Sequence, residues 1–160
     1  ESKFRHADLS VIMNNTLELV KNDYDINKKY DFKKIEIIRE YEDNLPKLYC
    51  EETKIQQVFI NILENGCHHS PPGTSIRILL KRLDSGMVEI AFTDKGEGAD
   101  PDRLSHIFEP FYTTRKGGTG LGLSIVRHIV DAHNGSISAG NNEPPPGFTV
   151  TISLPLLSGI

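Results

Sequence analysis

Residues 52–69 read ETKIQQVFINILENGCHH. Ile55, Val58, Phe59, Ile62 and Gly66 fall on one face of a helix. Gln57, Asn61, Asn65 and His68 run along the adjacent flank. Asn61 and Asn65 are four positions apart, so their side chains stand one turn above the other. Asparagine costs a helix interior roughly 0.5 kcal/mol against alanine, so two beside an apolar stripe need a reason. One reason is a cation with oxygen ligands: amide carbonyls suit Mg²⁺, which keeps waters and takes phosphate oxygens. The other is a pair of surface or helix-packing asparagines, and the stripe by itself does not separate the two. Cys67-His68-His69 closes the stretch. Adjacent helical residues point about 100° apart. No second Cys/His cluster of metal spacing exists in the sequence, so it argues against zinc there. A flat ring from His69 and a polar contact from His68 are the expected uses.

Outward from that helix, Ser70-Pro71-Pro72-Gly73 stops it. Before it, residues 8–22 carry apolar residues at helical spacing, and Asp8 is placed to cap them. Residues 33–41 alternate like a strand, and Pro46 separates them from a short strand over 47–50. After it, residues 74–83 and 87–93 form a hairpin pattern joined by Asp84-Ser85-Gly86. A long, partly mobile loop is expected over 94–120, with a short helix near 103–108. A helix over 121–133 is ended by Asn134-Gly135. Two strands, 136–139 and 148–154, flank a Pro-rich surface turn at 141–147. The order predicts an α+β sandwich of two layers: a mixed sheet with helices on one face and a mobile lid. It does not alternate as a doubly wound nucleotide fold does.

The chain has 160 residues, 38% hydrophobic and 25% charged, which fits one soluble domain over 1–160. A net charge of −4 gives no reason to expect nucleic acid. No apolar run reaches the ~20 residues of a membrane span, and no signal-peptide pattern opens the chain. Glu1 stands where a Met would, so a fragment of a longer protein is expected. Cys50 and Cys67 read as two reduced thiols in a cytoplasmic protein, or in the cytoplasmic part of a membrane-anchored sensor.

Two glycine-rich stretches carry the next signals. Asp94-Lys95-Gly96-Glu97-Gly98 follows an apolar strand. Its glycines allow close approach of a ligand, and Asp94 can accept a hydrogen bond from an amine such as the exocyclic group of adenine. A tight turn closed by an Asx bond at Asp94 is the plainer alternative. Gly117-Gly118-Thr119-Gly120-Leu121-Gly122-Leu123-Ser124 runs into a helix. Backbone N–H groups at a helix start make an anion site. It is neither a Walker loop nor GxGxxG, because no Gly-Lys-Ser/Thr follows and Leu123 occupies the last glycine position. Between the stretches, Phe108 and Phe111 can pin a lid, and Arg115 and Lys116 at its tip can reach phosphates. A solvated basic turn is the alternative. The order of these parts supplies metal ligands, a base reader, a phosphate cradle and a cover.

On these residues the chain resembles the ATP-binding superfamily of gyrase, Hsp90, histidine kinase and MutL, over about residues 32–155. Asn61-Ile62-Leu63-Glu64-Asn65 resembles the asparagine box of the histidine-kinase branch. Asp94 to Gly98 resembles its first glycine box, Phe108 to Phe111 its phenylalanine box, and Gly118 to Leu123 its second glycine box. The resemblance implies the family's two-layer ATP-binding (Bergerat) fold. It implies that Asn65 coordinates Mg²⁺ on the phosphates of ATP. Asn61 would stand where gyrase-like members carry a water-activating glutamate, so Asn61 and Asn65 form the catalytic pair. Asp94 would bind the adenine amine, while Gly96 and Gly98 shape the pocket floor. Gly118, Thr119, Gly120, Leu121, Gly122 and Leu123 would wrap the triphosphate, with Arg115 and Lys116 above. His68 stands where many relatives have a phosphate-binding lysine, and His69 where they have an aromatic ring. The lid resembles the short-lidded nitrogen-sensor type. Gly66 replaces a common alanine, and Pro146-Gly147-Phe148 lacks the threonine usual before the last strand.

Kinases of this kind pass the γ-phosphoryl group to a histidine on a separate dimerisation helix, and then to an aspartate of a response regulator. None of His6, His68, His69, His106, His128 and His133 has the sequence context of such an acceptor. His6 reads as a solvent-exposed tail residue. The acceptor domain is therefore expected outside this chain, the fragment is expected to be a monomer, and the full-length protein a homodimer. Two alternatives stand beside this reading: a serine-kinase anti-sigma factor, and a nonenzymatic nucleotide-gated interaction module of the same superfamily.

Overall fold

Asp8 starts the first long helix. Its Oδ1 accepts the backbone N–H of Ser10 at 2.9 Å and of Val11 at 3.4 Å, satisfying donors that a helix start leaves unpaired. The computed structural model describes residues 3–27, 34–110 and 122–156. In chain order the elements are β1 (Phe4–Ala7), α1 (Leu9–Asn27), β2 (Glu36–Tyr41), β3 (Leu48–Glu51), α2 (Glu52–His69) and β4 (Ser75–Arg82). Then follow β5 (Met87–Thr93), α3 (Pro101–His106), α4 (Gly122–Ala132), β6 (Ser136–Asn141) and β7 (Phe148–Pro155).

Five strands form one sheet in the order β2-β4-β5-β7-β6. β2 lies parallel to β4 and the other pairings are antiparallel, so the sheet is mixed as expected. β7 alternates buried and half-buried residues along its whole length, the signature of a strand with one face on a core. That face carries Ile76, Ile78 and Leu80 from β4, Val88, Ile90 and Phe92 from β5, and Phe148, Val150, Ile152 and Leu154 from β7. Over it lies α2, burying Ile55, Val58, Phe59, Ile62, Leu63 and Cys67. Phe59 meets Phe92 across the layers with ring centroids 5.8 Å apart. Full burial of side chains of this size is worth about 1.5–3 kcal/mol each, so this interlayer face is the main source of stability. α1 and α4 pack against α2 on its two sides and complete the helical layer. No helix among the described residues is long and apolar enough to cross a membrane.

The structure departs from the sequence reading at its amino-terminal end. The expected tail around His6 is strand β1, paired antiparallel with β3 in a separate two-stranded ribbon. His6 is exposed, as expected, but its ring lies 5.0 Å from that of Tyr49. Phe4 in the same strand stacks on His133 at 4.9 Å. His133 is buried and bridges two segments: its Nδ1 donates to Ile129 O at 2.8 Å and its Nε2 accepts from Glu51 N at 3.1 Å. The end of α4 is thereby fixed to the start of α2. The first helix runs to Asn27, longer than the 8–22 that its apolar spacing marks.

Candidate functional site

β5 ends at Thr93, and the chain leaves the sheet at Asp94 with its side chain buried. Asp94 makes two hydrogen bonds to the sheet and one within its own turn. Its N–H donates to Phe148 O at 2.9 Å, its Oδ1 accepts Phe148 N at 3.1 Å, and the same oxygen accepts Gly96 N at 2.9 Å. The Asx turn anticipated from the sequence is present. It saturates Oδ1 and leaves Oδ2, which lies on the Gly66 side, since a Cβ on Gly66 would come within 4.0 Å of it. Burial pushes the Asp94 carboxyl up from its ordinary value, opposed by the N–H groups of Gly96 and Phe148 and by the nearby Arg103 guanidinium.

Asp94 lines a narrow cleft with Asn65, Gly66, Phe92 and Phe148. A second part of the opening is lined by Asn65, His69, Asp94, Gly98, Arg103 and Phe148. The sequence candidates Asn65, His69, Asp94 and Gly98 therefore share one cavity. Gly96 lies where the turn passes over the end of α2. A Cβ there would sit 2.6 Å from the carbonyl oxygen of His69, so no larger residue fits without moving backbone. His68 is exposed and outside this lining, its ring edge-on to His69 at 5.2 Å.

The two asparagines of α2 have different surroundings. Asn61 is committed: its Oδ1 accepts from Gln57 Nε2 at 2.8 Å and its Nδ2 donates to Gly122 O at 3.2 Å. It ties the middle of α2 to the first residue of α4. Asn65, half-buried on the cleft wall, makes no side-chain hydrogen bond among the described residues. Of the two asparagines, it is the one whose amide oxygen is left available to a cation. Gly122 and Leu123 open α4, with Leu123 packed against the core. Arg115, Lys116, Gly118, Thr119, Gly120 and Leu121, and the lid residue Phe111, lie outside the described residues.

Four contributors escaped the sequence reading. Asn142 Nδ2 donates to Asp94 O at 2.9 Å and to Pro146 O at 3.0 Å, while its Oδ1 accepts from Thr149 Oγ1 at 2.6 Å. Asn141 pairs with both backbone groups of Ala99, accepting from its N at 2.8 Å and donating to its O at 2.7 Å. Phe148 lines the cleft, and Arg103 stands at its rim. The 141–147 segment, expected as a surface turn, is thus also the clamp on the Asp94 turn. Gly147 makes that possible: it adopts φ +117°, and a Cβ there would collide with Asp94 O. Two amides at the end of a strand, directly before a proline run, are the only sequence signal for this clamp.

An α+β sandwich with an acidic turn and an amide-bearing helix facing one cleft places the chain in a class that comparison makes specific. A family model described as histidine kinase-, DNA gyrase B-, and HSP90-like ATPase matches residues 50–158. The chain belongs to this family, which implies ATP binding, and within it the chain is the catalytic domain of a sensor histidine kinase. It is 34% identical over 153 residues to Sporulation kinase E of Bacillus subtilis, covering 96% of this chain and 20% of that protein. It is 32% identical over 150 residues to sensor histidine kinase ZraS of Escherichia coli, covering 94% of this chain and 30% of that protein. The chain therefore spans less than a third of either relative. The nucleotide-free catalytic domain of histidine kinase ThkA superimposes with a TM-score of 0.83 at 25% identity, over 97% of both chains. That kinase has also been solved in complex with the response regulator protein TrrA.

Proposed function

We propose that the cleft holds Mg-ATP and that the domain donates the γ-phosphoryl group to a histidine on a separate dimerisation and phosphoacceptor domain of the same kinase. The observation that carries this reading is the meeting of Asn65 and Asp94 in one cavity, one with an uncommitted amide and the other with one oxygen already saturated. Asp94 Oδ2 accepts the amine of adenine. Asn65 Oδ1 is a hard oxygen ligand suited to Mg²⁺ beside phosphate oxygens. The metal, when bound, neutralises charge on the transferring phosphate.

Asn61 orients the start of α4, where amides face the phosphates. It is a positioning residue, and as an amide it is too weak a base to activate water. That suits transfer over hydrolysis. Gly118, Thr119, Gly120, Leu121, Gly122 and Leu123 wrap the triphosphate, with Arg115 and Lys116 in the cover. Chemistry of this kind is mostly positioning and electrostatics, so the domain alone binds ATP but does not phosphorylate itself. A response regulator receives the group from the acceptor histidine. The domain by itself is a monomer working in the cytoplasm, the full-length kinase is a homodimer, and nucleic acid is not a partner.

Titration with ATP, with and without Mg²⁺, tests the site, and mixing with a matching acceptor-helix fragment tests the transfer. Acid-labile phosphohistidine on that fragment is expected. Acid-stable phosphoserine on a partner would replace this reading with the serine-kinase one. Nucleotide binding with no transfer to the matching fragment would leave a gated interaction module.

A further inference from the structure

One side of the cleft mouth is closed by two residues that lie far apart in the chain. Arg103 Nη2 stands 2.8 Å from His69 Nε2. A guanidinium has no acceptor, so Nε2 accepts and the ring carries its proton on Nδ1 in this contact. Arg103 Nη1 donates to Gly98 O at 3.4 Å. The backbone N–H of Arg103 donates to Asp100 Oδ1 at 2.8 Å, capping α3. His69 contributes from the other direction, since its carbonyl oxygen is the surface on which Gly96 rests. One side chain therefore fastens the end of α2 to the far end of the Asp94 turn. His69, Gly98 and Arg103 all line the cleft with Asn65 and Asp94.

We propose that Arg103 is a positioning residue for the nucleotide, holding the His69 ring and the Gly98 backbone as a fixed wall on the adenine side of the cleft. The proposal rests on the assignment of the cleft to ATP. A ring already held in one orientation loses no rotamer freedom when a base packs on it, so the latch raises affinity without adding a contact. The guanidinium also favours the ionised form of Asp94, the form that accepts an amine. Arginine suits both tasks because its planar fork reaches two acceptors together, which a lysine ammonium on a flexible stem does not.

The test is calorimetric titration of Mg-ATP into the parent chain, Arg103→Ala, Arg103→Lys, His69→Phe and the double variant Arg103→Ala/His69→Phe, each with a thermal melt. The cap of α3 uses the backbone of Arg103, so Arg103→Ala keeps it. Arg103→Ala is expected to weaken ATP roughly 3- to 10-fold, the scale of freeing one ordered side chain. Arg103→Lys should not restore it, and the double variant should bind no worse than Arg103→Ala alone. If Arg103→Ala does not fold, the loss in Arg103→Lys carries the test. Affinity within twofold of the parent, rescue by lysine, or losses that multiply in the double variant would each overturn the latch. Failure of the parent to bind Mg-ATP would overturn the site assignment and the latch with it, and is told apart by the parent titration.

Discussion

The side-chain amide of Asn142 donates to the backbone carbonyl of Asp94 at 2.9 Å, across 48 residues of chain. The acidic turn, which follows the central strand β5, is thus held by a residue that follows the edge strand β6. Asn142→Ala removes bonds to Asp94, Pro146 and Thr149 together. A net hydrogen bond is worth about 1 kcal/mol, so a loss of roughly 1–3 kcal/mol in unfolding free energy is expected. Chemical denaturation measures it, and ATP titration should show weaker binding in the same variant. An unchanged midpoint with unchanged affinity would show that the clamp does nothing.

Asp94 gives a prediction with two signs. Its carboxyl is raised by burial, so the folded protein holds that proton more tightly than the unfolded chain does. Ionised Asp94 therefore costs stability at neutral pH, and this cost is relieved as pH falls through the raised value. Binding follows the opposite direction: the amine acceptor is lost over the same fall in pH. Asp94→Asn keeps an oxygen for the N–H groups of Gly96 and Phe148 and removes the buried charge. It is expected to melt higher than the parent while losing about 1–3 kcal/mol of ATP affinity and its preference over GTP. A lower melting temperature, or intact ATP/GTP discrimination, contradicts it.

Asn61 and Asn65 should separate in their phenotypes. Asn61→Ala breaks the links to Gln57 and Gly122, and a stability loss of about 1 kcal/mol is expected. Asn65→Ala breaks no side-chain hydrogen bond among the described residues, so its melting temperature should not fall and should rise slightly with the better helix propensity of alanine, about 0.5 kcal/mol. Its ATP affinity should instead become the same with Mg²⁺ and with a chelator. Retained Mg²⁺ dependence in Asn65→Ala would remove it as the metal ligand.

Two glycine-to-alanine changes should have opposite effects. At Gly96 the new Cβ meets a backbone oxygen 2.6 Å away, which cannot rotate aside. Overpacking of this kind costs about 1–3 kcal/mol, and the cleft should lose ATP with it. At Gly66 the Cβ meets the flexible end of Ile76 at 3.3 Å and comes into ordinary contact with Asp94 Oδ2 at 4.0 Å. There the gain in helix propensity, about 0.5–1 kcal/mol, should prevail and raise the melting temperature. Parallel thermal melts decide both.

The helix from Glu52 to His69 was legible to the residue, because its apolar period is unbroken and a Ser-Pro-Pro-Gly stop follows it. Asp94, Gly96 and Gly98 were legible because short-range turn chemistry is written in adjacent residues. What escaped was non-local. β1 is four residues long without an alternating pattern, and its partner β3 lies beyond an intervening helix and strand. The roles of Asn141 and Asn142 depend on backbone groups of Ala99 and Asp94, and a Pro-rich neighbourhood gives no hint of them. In the sequence Arg103 marks no more than the short helix expected near 103–108. Only the fold brings it against His69. Helical spacing by itself makes Asn61 and Asn65 equals; the resemblance assigns them different roles, and the Gly122 contact gives Asn61 surroundings that Asn65 does not share.

The acidic turn is anchored to the middle strands of the sheet, whereas the Asn61–Gly122 bond ties the opening of α4 to α2. With ATP seated as proposed, a small tilt of α4 would change the surroundings of the phosphates more than those of the base. On the proposed placement of ATP, the purine and the phosphates thus rest on separately anchored parts of the fold, and a change at Gln57 or Asn61 should alter discrimination between ATP and ADP without altering that between ATP and GTP.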